Sequence, residues 1–139
     1  MKRFFAALLI ATLFSLPSFA QQKSPEEMEK EMFDSIDKQV ERYTTTLKLD
    51  DWQIFKADST LTHDYKAMTD ELNELSKAKV SNYDFYYSVQ DKWCESIYRS
   101  FESFLTPEQF AKYLKNGAAK EKKARDQRAA KNEGTKKKK

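Results

Sequence analysis

The stretches Leu49-Asp50-Asp51-Trp52-Gln53-Ile54 and Leu105-Thr106-Pro107-Glu108-Gln109-Phe110 share one pattern. In each, an apolar residue precedes an Asp or Thr, and a Gln follows three positions later. The Asp or Thr can cap a helix by accepting from the backbone N–H three residues on, and the Gln can accept from the N–H of the cap residue. We therefore predict that two helices begin here and that six residues have a structural capping role: Leu49, Asp50, Gln53, Leu105, Thr106 and Gln109.

The rest of the chain also favours helices. Ser24-Pro25-Glu26-Glu27 forms a third capping box, with Pro at the first helical position. The 139 residues include only two glycines and three prolines, too few for a protein of many strands and turns. Apolar residues recur three or four positions apart, which is helical spacing. We predict an all-α fold of four helices, over 25–45, 50–79, 83–104 and from 106 onward.

Residues 1–20 have the pattern of a secretory signal peptide. Lys2 and Arg3 supply the charged start, and an apolar run follows that is too short to span a membrane. Ser18-Phe19-Ala20 fits the small-x-small cleavage rule. We predict export to the periplasm with cleavage after Ala20, and no transmembrane segment in the remaining chain.

Charge divides the predicted mature chain into two parts. Residues 21–117 carry 13 basic and 19 acidic side chains, whereas residues 118–139 carry 10 basic and 3 acidic ones. We interpret 21–117 as a helical domain and 118–139 as a basic tail that is helical at first and disordered from Asn132. Asn116-Gly117 is the predicted boundary, with the glycine ending the fourth helix.

The third predicted helix is rich in aromatic residues. A buried stripe accounts for some of them, including Tyr86, Trp93 and Phe101, which are spaced for one face. The aromatic residues off that stripe are candidates for binding a client or partner: Tyr83, Phe85, Tyr87 and Tyr98. Their alternative role is burial in a dimer interface.

The lysine run at the C-terminus is the second candidate site, comprising Lys136, Lys137, Lys138 and Lys139. Lysine clusters attract nucleic acid, but the predicted export argues against that partner. Weak contact with an anionic surface, such as lipid headgroups, is the expectation, and a solubilising tail without a partner is the alternative.

The sequence offers little for metal binding or catalysis. His63 and Cys94 lie on different predicted helices, and zinc sites need about four clustered ligands. The methionines Met28, Met32 and Met68 could bind a soft ion, but they fall on predicted core stripes. Cys94 cannot form an internal disulfide, and its apolar neighbours favour burial over a free or intermolecular thiol. We predict no catalytic residue, no metal site and no cofactor.

The two L-[TD]-x-x-Q copies, the leader, the four helices and the basic C-terminus together resemble the Spy/CpxP-like periplasmic proteins, which carry LTxxQ repeats. The resemblance covers residues 45–117. It implies an elongated, curved helical hairpin that forms a cradle-like homodimer. Members of that family include an ATP-independent chaperone, envelope-stress regulators and zinc-responsive relatives. Two features depart from the family. Asp50 replaces the Thr of the motif, and residues 21–117 are acidic, whereas the family's chaperone resembles a basic cradle.

From this resemblance we expect a periplasmic chaperone or envelope-stress modulator that binds partly unfolded proteins without catalysis. Two alternatives remain open at the level of sequence. One is an exported surface-binding or structural module that acts through its lysine-rich tail. The other is a metal-responsive periplasmic sensor.

Overall fold

The computed structural model describes residues 23–136, and its side chains are described as far as Gly134. Within this range there are no strands, and the chain forms four helices, of which the fourth is bent. The helices are α1 (Pro25–Leu47), α2 (Asp51–Lys77) and α3 (Tyr83–Phe104), followed by α4 (Pro107–Tyr113), a π-helical turn (Leu114–Ala118) and α5 (Ala119–Lys136). The predicted all-α, four-helix fold is confirmed. The predicted leader and Lys137 to Lys139 lie outside the described residues.

Side-chain caps fix where the helices begin. Ser24, Asp50 and Thr106 each accept from the backbone N–H three residues on, and each closes a capping box. Asn82 caps α3 by accepting from the N–H of Asp84. Because these contacts are local in sequence, the starts of α1 to α4 fall within a residue of the predicted positions.

Helix α1 runs two residues past its predicted end at 45, through three successive threonines to Leu47. The hydroxyls of Thr44 and Thr46 donate to the carbonyls of Val40 and Arg42, at 2.9 and 2.8 Å. Hydrogen bonding to the preceding turn accommodates these β-branched residues inside a helix. The helix ends only where Lys48 adopts a left-handed conformation, with φ of 54°.

The core lies where the end of α1, the start of α2, the end of α3 and α4 meet. Phe101 is fully buried, with its ring edge-on to Tyr43 at 5.2 Å and stacked on Tyr113 at 5.0 Å. Leu47 and Leu61 are also fully buried. Contacts between aromatic rings stabilise a fold beyond the contribution of the apolar area that the rings bury, so this cluster stabilises the packing of α1, α3 and α4.

Helix α5 packs back against the body. It runs antiparallel to α3, since Arg125 contacts Glu95 and Arg128 makes two hydrogen bonds to Asp91, at 2.7 and 2.6 Å. Ala118 and Arg125 are buried although they lie beyond the predicted domain boundary. The prediction of disorder from Asn132 is wrong for residues 132–136, which continue the helix.

Gly117 bends the chain between α4 and α5. Its φ of 118° and ψ of −21° interrupt the helix, as expected of this glycine, but helical structure resumes at once. The bend turns α5 back along α3, where ion pairs hold it. The sequence does not predict that α5 packs against α3, because α5 has no continuous apolar face and contacts α3 through charged side chains instead.

None of the helices within residues 23–136 is both long enough and apolar enough to cross a membrane.

Candidate functional site

The two capping boxes meet in space and bond to each other. The amide nitrogen of Gln53 donates to Oε1 of Gln109 at 2.7 Å, and the nitrogen of Gln109 donates to Oε1 of Gln53 at 2.9 Å. Each nitrogen also donates to the carbonyl that precedes the other motif: Gln53 to Phe104 at 3.1 Å and Gln109 to Lys48 at 3.2 Å.

This arrangement has approximate twofold symmetry. Each Oε1 accepts from its own cap residue as well, with 3.1 Å from the N–H of Asp50 and 3.0 Å from that of Thr106. Both amides therefore use all of their hydrogen-bonding capacity at a site where Gln53 is buried. Leu49 and Leu105 are buried beside them. The motif residues join two helix starts and leave no amide atom for a ligand.

The start of α3 exposes most of the predicted aromatic candidates. Tyr83, Phe85 and Tyr87 are 77%, 55% and 53% exposed, and we call these three residues the aromatic cluster. Tyr86 lies among them, but its hydroxyl donates to the carbonyl of Val80 at 2.9 Å and its ring is half-buried. By helical spacing Tyr83 and Tyr87 share one side of α3, while Phe85 flanks the opposite edge of the buried face.

Tyr98, the fourth aromatic candidate, is half-buried and not exposed like the other three. Its ring packs edge-on against Phe110 at 5.6 Å and belongs to the periphery of the core. The guanidinium of Arg125 lies 5.7 Å from the ring centroid, and the ammonium of Lys122 lies at 5.8 Å. Both cations come from α5, so Tyr98 is covered by the segment that was predicted to be a separate tail.

A second exposed pair of aromatics lies at the start of α2. Trp52 is 56% exposed and Phe55 is 65% exposed. The Trp52 ring contacts Phe104 edge-on at 6.3 Å, and the ammonium of Lys56 lies 5.7 Å from its centroid. The sequence contained a signal for these residues, since both fall off the stripe through Ile54 and Leu61. Trp52 also lies inside the capping motif, and that motif alone accounts for no role of its ring.

His63 is exposed, and its Nδ1 lies 2.7 Å from Oδ1 of the buried Asp64. The burial of Asp64 was not predicted, and its Oδ2 has no hydrogen-bond partner among the described side chains. Across residues 23–136, no three His, Cys, Asp or Glu side chains are grouped so as to hold a metal ion.

Cys94 is half-buried beside a small polar cavity of about 40 Å³, which is lined by residues from α1 to α5. Tyr65, Tyr113 and Arg125 also line this cavity. Burial raises the pKa of the Cys94 thiol, with the nearby Arg125 opposing the shift, and burial likewise raises the pKa of Tyr65 and Tyr113. The thiol is therefore protonated at neutral pH, which makes it a poor nucleophile.

The chain matches no protein-family model, no curated protein and no solved structure. The resemblance to the Spy/CpxP-like proteins therefore stays a prediction.

Lys136 is the last residue of α5, and Lys137, Lys138 and Lys139 lie outside the described residues.

Proposed function

We propose that this protein is an exported, ATP-independent chaperone or envelope-stress modulator that binds partly unfolded proteins reversibly and without catalysis. One observation carries the proposal: several large apolar side chains are more than half exposed. They are Met28, Trp52, Phe55, Tyr83, Phe85 and Tyr87. Single exposed apolar residues are ordinary, but clusters of aromatic ones are typical of interaction sites.

Aromatic side chains suit transient binding of many partners. Tyr and Trp present a large apolar area with only two rotatable side-chain bonds, so little conformational entropy is lost on contact. Covering about 100 Å² of apolar surface contributes roughly 2.5 kcal/mol before the costs of association. A few such contacts give weak, reversible binding, which is what a holding chaperone requires.

The chemistry of the described side chains supports a role in binding rather than catalysis. The His63 ring bonds to a carboxylate and not to a hydroxyl or thiol. Burial raises the pKa of the Cys94 thiol. An activated nucleophile would instead need an adjacent base or a lowered pKa.

The test is suppression of aggregation. We would follow light scattering while a chemically denatured client is diluted into buffer containing the full chain. We expect suppression near stoichiometric amounts. The triple variant Tyr83→Ser, Phe85→Ser, Tyr87→Ser should lose a measurable part of it, since the three side chains are exposed and contribute little to folding.

The matched control changes polar residues of the same helix, Ser88→Ala and Gln90→Ala, which are exposed. It should suppress aggregation as the parent does. If the parent protein fails to suppress scattering at several-fold excess, the chaperone proposal is wrong. If the triple variant is as active as the control, the aromatic cluster is not the binding site.

Export has its own test. Mass spectrometry of the protein recovered from the periplasmic fraction should show a chain that begins at Gln21. An intact N-terminus in the cytoplasmic fraction would contradict both the cleavage site and the proposed compartment.

A further inference from the structure

An open groove of about 590 Å³ runs between the second half of α1 and the first half of α2. Its apolar lining comes from Val40, Ile54 and Phe55. Phe55 is one of the most exposed apolar residues that the structure describes. The volume is within the range of sites that accept small ligands or a few side chains of a peptide.

Carboxylates surround this apolar floor. Asp37 and Glu41 contribute from α1, and Asp51 and Asp58 from α2. None of the four forms an ion pair with any described residue, whereas Glu71, Asp91 and Glu95 are each paired with a cation. Four uncompensated negative charges around one groove create a local potential that attracts cations.

Three nearby cations, Lys38, Arg42 and Lys56, are not part of the groove lining. Lys38 and Arg42 line a different surface of α1, together with Ser35 and Gln39. The ammonium of Lys56 is directed to the Trp52 ring. The groove therefore combines an apolar floor with a negative rim.

We propose that this groove binds cationic amphipathic segments of client polypeptides, in which Lys or Arg alternates with apolar side chains. The inference rests on the proposed function and names the class of client that this acidic body selects. Apolar side chains of the client cover Val40, Ile54 and Phe55, while its cations pair with the carboxylates. Charge attraction speeds encounter, and apolar burial slows release.

The chain's own lysine run fits this groove less well. Lys136 to Lys139 would satisfy the carboxylates but bring no apolar group to the floor. Because the apolar side chains of the groove would stay exposed to water, this binding would gain no free energy from apolar burial. For this reason an amphipathic segment of a client is the proposed occupant. The alternative occupant is the lysine run of a second copy of the chain, and the test below distinguishes the two.

The test measures binding of short fluorescent peptides to the full chain by anisotropy. The probes alternate Leu with Lys, Leu with Ser, or Leu with Glu, and a fourth consists of Lys alone. We expect the Leu–Lys peptide to bind at least about tenfold more tightly than each of the others, which corresponds to about 1.4 kcal/mol. Its affinity should fall as salt is raised.

Variants locate the binding to the groove. Asp37→Asn, Glu41→Gln and Asp58→Asn together should weaken Leu–Lys binding by about tenfold and flatten its salt dependence. Asp51 is kept because it lies in the first turn of α2, where an acidic residue stabilises the helix. Phe55→Ala, at a largely exposed residue, should weaken binding severalfold with little effect on stability.

The matched control removes the same charge elsewhere, through Asp70→Asn, Glu74→Gln and Glu133→Gln, all exposed residues outside the groove lining and outside the first turn of any helix. It should change the affinity less than about twofold. An equal loss in this control would mean that diffuse charge binds the peptide, and would overturn the proposal. So would a Lys-only peptide that binds as tightly as Leu–Lys, because the lysine run would then be the better occupant.

The remaining outcomes separate this inference from the proposed function. If client aggregation is suppressed but Leu–Lys, Leu–Ser and Leu–Glu bind alike, the protein is a chaperone without the charge preference, and the inference alone is overturned. If no peptide binds and no client is protected, both are wrong.

Discussion

At the scale of single residues, the two glutamines of the capping motifs do more than cap. Gln53 and Gln109 bond to each other and to the chain segments before both helices. Removing one amide leaves the other with unpaired polar atoms in a buried place, which costs more than the lost hydrogen bonds themselves.

We expect Gln109→Ala to lower the free energy of unfolding by about 2 kcal/mol, through a lost cap and an unpaired Gln53 amide. The double variant with Gln53→Ala should be less destabilised than the sum of the single variants, by about 1 kcal/mol. Urea denaturation measures all three. Gln90→Ala, at an exposed residue of α3, is the control and should change stability by less than about 0.5 kcal/mol. Additive single effects would show that the glutamines act separately.

The tyrosines and the thiol at the small cavity predict loss of stability in alkali. Burial raises the pKa of Cys94 from its ordinary value of 9.0, and those of Tyr65 and Tyr113 from 10.0. For acids whose folded-state pKa is raised, the contribution is fully present below the ordinary pKa and is lost as pH rises through the folded-state pKa.

The free energy of unfolding should therefore fall as pH rises above about 9, as urea denaturation at successive pH values would show. Tyr65→Phe removes one titrating phenol and should make the decline shallower. A decline of the same steepness in this variant would assign the effect to other groups.

At the scale of elements, the bend at Gly117 decides where α5 lies. A φ of 118° is a conformation that side chains disfavour, although nothing lies within 4 Å of a Cβ added there. The cost of a substitution is therefore backbone strain and not steric clash with neighbouring residues.

Gly117→Ala should lower the free energy of unfolding by about 1–3 kcal/mol, measured by urea denaturation. Gly134→Ala is the matched control, since it also has open space around it but no positive φ. That change should be neutral or stabilising by up to about 1 kcal/mol, because alanine favours helix. Equal effects of the two substitutions would show that the bend carries no strain.

At the scale of the whole molecule, the segment after Gly117 is part of the packed body. Ala118 and Arg125 are buried, and Arg125 and Lys122 cover Tyr98. A chain that stops after Gly117 should lose roughly 2 kcal/mol or more of stability, because it uncovers this surface. A chain that stops after Gly134 should unfold in urea like the full chain. If both truncated chains are equally stable, the sequence-based boundary after Gly117 is correct.

The sequence predicted the features that depend on neighbouring residues, and it did not predict those that depend on contacts between distant helices. Helix starts were predictable because Ser24, Asp50 and Thr106 act on residues three positions away. The burial of Tyr98 and Arg125 was not predictable, because it depends on the packing of α5 against α3. That packing is made by charged side chains, which in a sequence are typical of a solvent-exposed helix. The exposed state of Tyr83, Phe85 and Tyr87 could be predicted because these residues fall off the buried stripe of their helix.

The mutual bonding of Gln53 and Gln109 also has a mechanical consequence. Gln53 and Gln109 are 56 positions apart and are hydrogen-bonded to each other. A force that pulls α4 away from the body must therefore also break these hydrogen bonds at the start of α2. The chain between the two motifs, which includes all of α3, is closed into a loop by this pair. A pull on the C-terminal segment would first separate the ion pairs between α5 and α3. It would then meet resistance at the two amides, and their rupture would free both helix starts together.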